Sequence, residues 1–162
     1  MTLSVGERLP DATLLIMGAV GVEGVSLASK LTGRKVVLFG LPGAYTGTCS
    51  TSHVPSFMRV ADRLRAKGVD EIICVAVNDP YVMKAWAEST GGAAKGITFL
   101  GDTDASFTKA INMAFTVPAK GFHDRSKRYA LYAVDGVIQV LNMGQETAAC
   151  EISGGEAMLE AI

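Results

Sequence analysis

Cysteine is scarce in this chain: three cysteines, Cys49, Cys74 and Cys150, occur among 162 residues. Their number is odd and their spacing is wide. No C-x-x-C pair occurs, and no cluster of cysteine and histidine has the spacing of a zinc site. This pattern argues against a disulfide scaffold and against a structural zinc centre, so each cysteine needs its own interpretation.

An excess of either charge is also missing, because the chain has 15 basic and 16 acidic residues and a net charge of −1 at pH 7. Such a balance offers no basic face to nucleic acid or to a membrane surface. No apolar run approaches the ~20 residues of a membrane span. The start MTLSVGERLP lacks the charged-then-apolar layout of a signal peptide. We therefore expect a cytoplasmic protein, although an organelle form that has lost its transit peptide would look the same.

The composition that remains is that of a globular protein, because apolar residues make up 49% of the chain and charged residues 19%. A chain of this length can bury a hydrophobic core without disulfides. No repeat, low-complexity tract or linker divides it. We therefore expect one domain over residues 1–162.

Hydrophobic patterning predicts alternating strands and helices. The glycine-rich run IMGAVGVEGVSL favours an N-terminal β-hairpin over a phosphate loop, because no helical pattern opens directly after it. KVVLFGL and EIICVAVN are continuous apolar runs, typical of strands buried on both faces. Between them, apolar residues recur at steps of three and four from Val54 to Leu64, which predicts an amphipathic helix. The three segments form a βαβ unit with parallel strands.

Later elements continue this alternation. Asp79-Pro80 is a helix start, GITFLGD a strand, DASFTKAIN a short helix and SGGEAMLEAI a terminal helix. Asp135-Gly136 lies between two β-rich runs and predicts a hairpin, whereas KGFHDRS with His123 is interpreted as a loop. We predict an α/β fold, a central mixed sheet flanked by helices with an N-terminal β-hairpin extension, whose order is thioredoxin-like by analogy.

The stretch LPGAYTGTCS places Cys49 in the first turn of the helix after the KVVLFGL strand. A free thiol is only a few per cent thiolate at pH 7, and the thiolate is the nucleophile. Orphan N–H groups and the dipole at a helix N-terminus favour an anion, but they supply only about 1–2 kcal/mol. Thiolate activation by about three pKa units requires about 4 kcal/mol. A further cation or set of donors is therefore expected, for example an arginine from elsewhere in the chain.

Two neighbours of Cys49 suit a substrate with two adjacent oxygens. Thr46 can donate one hydrogen bond and accept another. Pro42 has no N–H and a fixed φ, so it can shield a pocket without competing for the sulfur. A hydroperoxide, RO–OH, is such a substrate.

The spacing P-x-x-x-T-x-x-C, met by Pro42, Thr46 and Cys49, resembles the active-site motif of the peroxiredoxins. The string FGLPGAYTGTCSTSHVPSF is similar to the type II (atypical two-cysteine) subfamily. The resemblance extends through EIICVAVNDPYVMKAW and RSKRYAL into SGGEAMLEAI and covers nearly the whole chain. It implies a thioredoxin-like fold and an antioxidant thiol peroxidase that reduces hydrogen peroxide and alkyl hydroperoxides.

The resemblance also assigns roles to residues. Cys49 corresponds to the peroxidatic cysteine, which becomes a sulfenic acid, and its backbone N–H is an expected oxyanion donor. Thr46 positions the peroxide, and Pro42 shields the pocket. Arg128 matches the arginine that stabilises the thiolate and the transition state, and Arg125 is the second candidate for that role.

This chain departs from the family pattern at two positions beside the motif. The family often has phenylalanine where this chain has Tyr45, and proline where it has Gly47. Tyr45 keeps the aromatic ring. Gly47 is expected to loosen the loop next to the nucleophile and to alter how easily the first turn unwinds.

The resolving thiol is left open. Cys74 lies mid-strand and is either a small buried hydrophobe or the resolving cysteine that some type II members carry there, in which case the helix start must unfold locally. Cys150 lies in a region where other members place a resolving cysteine, though about two residues away. A third possibility is a one-cysteine cycle, in which glutathione or a glutaredoxin attacks the sulfenic acid directly.

His53, four residues after Cys49, could tune the thiolate, although a helix-surface or packing role is the simpler interpretation. Asp102 and Asp104 are interpreted as turn and capping residues. No metal, haem or flavin is expected. The reductant is expected to be glutathione with glutaredoxin, or thioredoxin.

The resemblance further implies a homodimer, with Tyr45 and the loop at Pro80-Tyr81 as interface contributors. One rival function is a disulfide oxidoreductase, which needs C-x-x-C where this chain reads T-G-T-C. The other is a peroxide-sensing redox switch or interaction protein that uses the same cysteine but turns over poorly.

Overall fold

The computed structural model describes residues 1–144 and 152–162, and all structural statements refer to these ranges. Its strands are β1 (Thr13–Gly18), β2 (Gly21–Ser26), β3 (Lys35–Gly40), β4 (Glu71–Ala76), β5 (Ile97–Gly101), β6 (Ala114–Val117), β7 (Phe122–Ser126), β8 (Tyr129–Val134) and β9 (Val137–Met143). Its α-helices are α1 (Leu27–Leu31), α2 (Val54–Ala66), α3 (Pro80–Thr90), α4 (Ser106–Ala110) and α5 (Gly155–Ala161).

A seven-stranded mixed sheet forms the centre of the fold, in the order β2-β1-β5-β4-β3-β8-β9. β3, β4 and β5 are parallel, whereas β8 pairs with β3 and β1 with β5 in the antiparallel sense. The sheet and its flanking helices confirm the predicted α/β architecture. β1 and β2 form the predicted N-terminal hairpin.

The apolar strand β3 is covered on both faces, as its continuous run predicts. Val37 and Phe39 face one core cluster, which includes Phe57 of α2 and Trp86 of α3. Val36 and Leu38 face the opposite cluster, which contains side chains of α1 and α4. None of the helices in the described ranges is long and apolar enough to cross a membrane.

Local sequence signals place several boundaries correctly. The Asp79 side chain caps α3 by accepting a hydrogen bond from Val82 N at 2.9 Å. Asp135 and Gly136 adopt φ values of 51° and 77°, the left-handed conformation that a tight β8–β9 turn requires. The carboxylate of Asp102 accepts from the backbone N–H groups of Phe107 and Thr108, so it caps α4 as expected.

The interpretation of KGFHDRS as a loop is wrong. Phe122–Ser126 forms β7, which pairs with β6 in a separate two-stranded antiparallel sheet, and His123 lies on it with an exposed side chain. The segment is polar and short, so its strand conformation depends on pairing with β6 rather than on a buried apolar face. This small sheet leads directly to Arg128 and thereby positions the site described next.

Candidate active site

The chain leaves the central sheet at the carboxyl end of β3 and enters a π-helical turn, Cys49–His53, that runs into α2. The turn is closed by a bond from Val54 N–H to the carbonyl of Cys49, a five-residue step in place of the usual four. Cys49 therefore stands at the N-terminal side of α2, as predicted, but in a π turn rather than a regular α turn. Its side chain is 0% exposed.

The loop before this turn is held by hydrogen bonds and by unusual backbone angles. Gly43 has φ +152°, and Tyr45 adopts φ +62°, which is uncommon for a residue with a side chain. The Ala44 N–H donates to Asn78 Oδ1 at 2.9 Å, which ties the loop to the end of β4. Asn78 thus supports the site, although no sequence motif marked it.

Thr46 is half-buried, and its hydroxyl donates to the Gly43 carbonyl at 2.7 Å. Because a hydroxyl carries a single proton, the remaining lone pairs of Oγ1 act only as acceptors in this arrangement. Thr46 can therefore accept a hydrogen bond from an incoming substrate O–H. The sequence analysis expected Thr46 also to donate a hydrogen bond, but in the structure that proton is used by the Gly43 carbonyl of its own loop.

A cavity of about 260 Å³ opens beside the turn. The side chains and backbone that line it are Pro42, Thr46, Gly47, Thr48, Lys120, Phe122 and Arg128. Among the residues that the structure describes, this lining contains the cations Lys120 and Arg128 and no carboxylate, so it favours an anion or a polarised oxygen. Cys49 is absent from the lining; its sequence neighbour Thr48 lines the cavity, while its own thiol lies buried.

Arg128 is 97% buried, and its Nη1 lies 3.2 Å from Nδ1 of His53. The other ring nitrogen of His53 lies 2.9 Å from the carbonyl oxygen of Ser153. A guanidinium only donates and a carbonyl only accepts, so the imidazole is neutral, with its proton on Nε2. Burial, opposed by the Ser153 bond and reinforced by the charge of Arg128, lowers the pKa of His53 from 6.5 to about 4.

Of the two simpler interpretations of His53, the helix-surface one is therefore wrong and the packing one is confirmed. Its side chain is fully buried and packs against the rings of Phe39 and Phe57, with centroids 5.1 and 5.8 Å away. The π turn helps to point the ring inward, because a five-residue repeat rotates it relative to a regular helix. Packing accounts for part of its role, and the hydrogen bond to Arg128 adds a polar function that the sequence spacing could not indicate.

Three comparisons with known proteins bear on this geometry. The family model described as Redoxin matches residues 4–159. Rice peroxiredoxin-2C (Oryza sativa subsp. japonica) is 44% identical over 161 residues, covering 99% of this chain and 98% of that protein. The rice chloroplastic peroxiredoxin-2E-2 is 45% identical over 165 residues, covering 99% of this chain and 73% of that protein. This chain belongs to the redoxin family and, within it, to the type II peroxiredoxins.

Solved structures give the same result. The crystal structure of reduced Prx3 from Vibrio vulnificus in complex with hydrogen peroxide has 41% sequence identity, covers 99% of both chains and superposes with a TM-score of 0.90. The thioredoxin-like peroxiredoxin fold that the sequence resemblance implied is confirmed. As a peroxiredoxin, this protein is an oxidoreductase with thiol peroxidase function.

Arg125 of this peroxiredoxin contacts the loop rather than the cavity. Its Nη1 donates to the carbonyl of Pro42 at 3.0 Å, and its guanidinium carbon lies 5.6 Å from the ring centroid of Phe122. Arg128, by contrast, lines the cavity together with Thr46. The two arginines thus occupy different positions, and Arg128, the first candidate from the sequence, is the one that lines the cavity.

The other two cysteines are the candidates for the resolving thiol. Cys74 lies in the middle of β4 opposite Phe39 and is 0% exposed. Burial and, secondarily, the charge of Cys49 raise the pKa of the Cys74 thiol well above its ordinary value. Cys150 lies outside the described residues, so its candidacy as a resolving thiol stays a prediction.

One further contact near Cys49 was not expected from the sequence. Trp86, the single tryptophan of the chain, is fully buried and donates from Nε1 to Ser50 Oγ at 2.9 Å. It joins α3 to the residue that follows Cys49. Within residues 1–144 and 152–162, no group of three or more His, Cys, Asp or Glu side chains could hold a metal ion.

Proposed function

We propose that Cys49 is the peroxidatic cysteine and reduces hydrogen peroxide and alkyl hydroperoxides. The thiolate sulfur attacks the terminal oxygen of ROOH and the O–O bond breaks, so that the OH group is transferred to sulfur. The alkoxide leaves and takes a proton from solvent to become ROH. Cys49 is oxidised to a sulfenic acid while the peroxide is reduced to an alcohol or to water. One observation carries this assignment: Thr46 and Arg128 line a single cavity beside the turn that holds Cys49.

Each neighbour has a distinct role in this proposal. Arg128 stabilises the thiolate and the negative charge that develops on the leaving oxygen. Thr46 Oγ1 accepts the hydrogen bond of the peroxide O–H and so orients the O–O bond for attack. Pro42 closes the wall of the cavity without adding an N–H donor, and the Cys49 N–H contributes to the oxyanion site.

Regeneration proceeds through an external thiol. A thiol R′SH attacks the sulfenic acid, a Cys49–S–SR′ bond forms and water leaves. A second R′SH attacks the R′ sulfur of that disulfide, which forms R′SSR′ and releases Cys49 as the thiol. We propose glutathione with glutaredoxin, or thioredoxin, as that source, because the Cys74 thiol is fully buried and protonated. Cys74 could resolve only after the turn unfolds, and Cys150 remains the other internal candidate.

The proposal also includes an oligomeric state and a cellular location. Tyr45 and Tyr81 are 58% and 67% exposed, although large aromatic side chains are usually covered. We propose that they form part of a homodimer interface near the active-site loop. A cytoplasmic antioxidant role fits the balanced charge, whereas the relatives include proteins named as chloroplastic and mitochondrial.

Intact-mass measurement after one equivalent of hydrogen peroxide tests the cycle. The variants are Cys49→Ser, Cys74→Ser and Cys150→Ser, each compared with wild type. A gain of about 16 Da, or a glutathione adduct, that is lost only in Cys49→Ser supports the one-cysteine cycle. A loss of about 2 Da, abolished in one of the other variants, names that cysteine as resolving. No mass change in wild type would overturn the peroxidase assignment.

Steady-state kinetics with glutathione and glutaredoxin separate an enzyme from a peroxide-sensing switch. An enzyme consumes many equivalents of peroxide per chain. A switch would stop after one equivalent, even with excess thiol. We expect sustained turnover, because the cavity leaves an approach to the turn for a second reactant.

A further inference from the structure

Arg125 is a charged side chain that the proposed chemistry leaves without a role. It lies on β7 in a half-buried position and does not line the cavity. Its guanidinium nevertheless reaches across 83 positions of sequence to the carbonyl of Pro42, at 3.0 Å. A hydrogen bond from a charged donor is stronger than one between neutral groups.

The guanidinium also occupies the space above Gly43. A Cβ atom built on Gly43 would lie 2.1 Å from Arg125 Nη1 and 3.4 Å from its Cζ. Such a distance is far below van der Waals contact, so the absence of a side chain at position 43 is what lets Arg125 reach the loop. The guanidinium of Arg125 also lies over the ring of Phe122, with its carbon 5.6 Å from the ring centroid.

The loop to which Arg125 hydrogen-bonds carries Thr46, whose hydroxyl is proposed to orient the substrate. Gly43 supplies the carbonyl to which Thr46 Oγ1 donates at 2.7 Å, and the same carbonyl accepts from Thr46 N at 3.4 Å. A shift at Pro42 and Gly43 therefore turns the Thr46 lone pairs away from the cavity. Phe122 lines the cavity as well, so the contact joins two of its walls.

We propose that Arg125 is a positioning residue that latches the Pro42–Gly43 peptide and thereby orients Thr46 toward the peroxide. It acts through the loop, not as a charge on the sulfur. The proposal rests on the proposed function of Thr46 and Cys49. It separates the two arginines: Arg128 acts on the reacting atoms, and Arg125 fixes the loop that presents the peroxide acceptor.

Arg125→Met tests the latch, because methionine keeps an unbranched side chain but removes the donors and the charge. Lys127→Met is the matched control. Lys127 is exposed two residues after Arg125, and its replacement removes the same positive charge. We expect the second-order rate constant of Cys49 with hydrogen peroxide to fall about tenfold in Arg125→Met, the scale of a charge-assisted hydrogen bond. Lys127→Met should match wild type, and Arg125→Lys, which can still donate to Pro42, should recover part of the rate.

The pH profile of Cys49 alkylation, followed by peptide mass spectrometry, separates positioning from direct action. An indirect role predicts that the profile of Arg125→Met has the same midpoint as wild type. A midpoint raised to the same extent as in Arg128→Lys would overturn the proposal, because Arg125 would then be a cation that stabilises the thiolate directly.

A double-mutant cycle with Gly43→Ala gives a second readout. In wild type the new methyl group collides with Arg125, whereas in Arg125→Met that collision is relieved. The backbone cost and a tight contact with Asn78 Oδ1, at 3.2 Å, remain in both backgrounds. We expect Gly43→Ala to reduce the melting temperature and the peroxide rate much less in the Arg125→Met background. Equal losses in both backgrounds would rule out the latch. If wild type fails to react with peroxide, the proposed function falls, while the melting temperatures of the cycle still decide the latch.

Discussion

His53 Nδ1 lies 3.2 Å from Arg128 Nη1, while the opposite nitrogen of the same ring lies 2.9 Å from the carbonyl of Ser153. A single buried imidazole thus joins the catalytic arginine candidate to the chain segment that precedes α5. The backbone repeats this connection, because Ser56 Oγ donates to the His53 carbonyl at 2.6 Å and accepts from Gly155 N at 2.9 Å. The start of α2 and the start of α5 are consequently held together around Arg128.

Exchanging the His53 side chain should reveal which of its contacts matters. His53→Asn keeps an acceptor near the Nδ1 position, His53→Gln keeps a donor near the Nε2 position, and His53→Phe keeps only the ring that packs on Phe39 and Phe57. If the bond to Arg128 orients the guanidinium, the Asn variant retains the most activity. We expect kcat/KM for peroxide to fall about tenfold in the Gln and Phe variants.

The opposite order of activities among the three His53 variants would contradict an orienting role for the bond to Arg128. A purely structural role predicts that His53→Phe performs best and His53→Asn worst, because asparagine leaves a gap in an aromatic cluster. Melting temperatures measured beside the kinetics distinguish a variant that folds poorly from one that folds but reacts slowly.

The low pKa of His53 predicts a loss of stability in mild acid. The folded protein keeps this ring neutral down to about pH 4, whereas the unfolded chain takes up the proton below about pH 6.5. The unfolded state therefore binds more protons between these values, and the free energy of unfolding falls as the pH drops from 6.5 to 4, by about 3 kcal/mol at most. Arg128 is the charged group that faces the ring among the described residues, and it opposes protonation.

Urea unfolding of wild type, His53→Gln and His123→Gln between pH 7 and pH 4.5 measures this effect. His123 is exposed on β7 and serves as the matched control. We expect the pH-dependent loss to persist in His123→Gln and to shrink in His53→Gln. If the free energy of unfolding falls equally with pH in all three proteins, groups other than His53 govern stability in this range.

Removal of the Thr46 hydroxyl should slow the peroxide reaction while the fold persists. Thr46→Val has nearly the same shape but loses both the bond to the Gly43 carbonyl and the acceptor that faces the cavity. Loss of one oriented polar group from an active site typically costs about 10²–10³-fold in rate. Stopped-flow measurement of the peroxide reaction at a single pH gives the comparison.

Thr51→Val is the control for this change. Thr51 is exposed in the π turn and does not line the cavity, and its hydroxyl donates to the Gly47 carbonyl at 2.9 Å. The substitution therefore removes a similar bond to the same loop but no side-chain oxygen from the cavity lining. A rate for Thr51→Val close to wild type, together with a slow Thr46→Val, supports a specific role for Thr46. Equal losses would assign the effect to the stability of the turn.

Trp86 should report oxidation of Cys49 through its fluorescence. Its indole N–H donates to Ser50 Oγ, and the Cys49 sulfur has no exposed surface, so an added oxygen requires the turn to shift. We expect stoichiometric hydrogen peroxide to change the emission of wild type. The change should be absent in Cys49→Ser and smaller in Ser50→Ala, which lacks the hydrogen-bond acceptor. An unchanged spectrum in oxidised wild type would mean that the turn keeps its shape.

Much of the fold was predictable because each local signal agrees with its tertiary environment. The apolar run of β3 is buried on both faces, the Asp79-Pro80 pair starts α3, and Asp135-Gly136 forms the β8–β9 turn. Two features were not predictable from local pattern. β7 is polar and acquires its conformation from pairing with β6, and the π turn at Cys49 depends on where the carbonyl of Cys49 finds its partner.

The sequence alone determined which residues are chemically able to act: a cysteine at a helix start, a threonine three positions before it, and a proline seven positions before it. These lie within eight residues of one another, so their neighbourhood follows from the path of a single strand-to-helix connection. Arg125, Arg128, His53 and Ser153 are separated by as many as 100 positions. The pairing of β8 with β3 and the packing of α5 on α2 decided the rest. They determine which arginine lines the cavity, which arginine hydrogen-bonds to the loop, and which nitrogen of His53 carries the proton. Such contacts depend on directions in space, and no local spacing in the sequence encodes them.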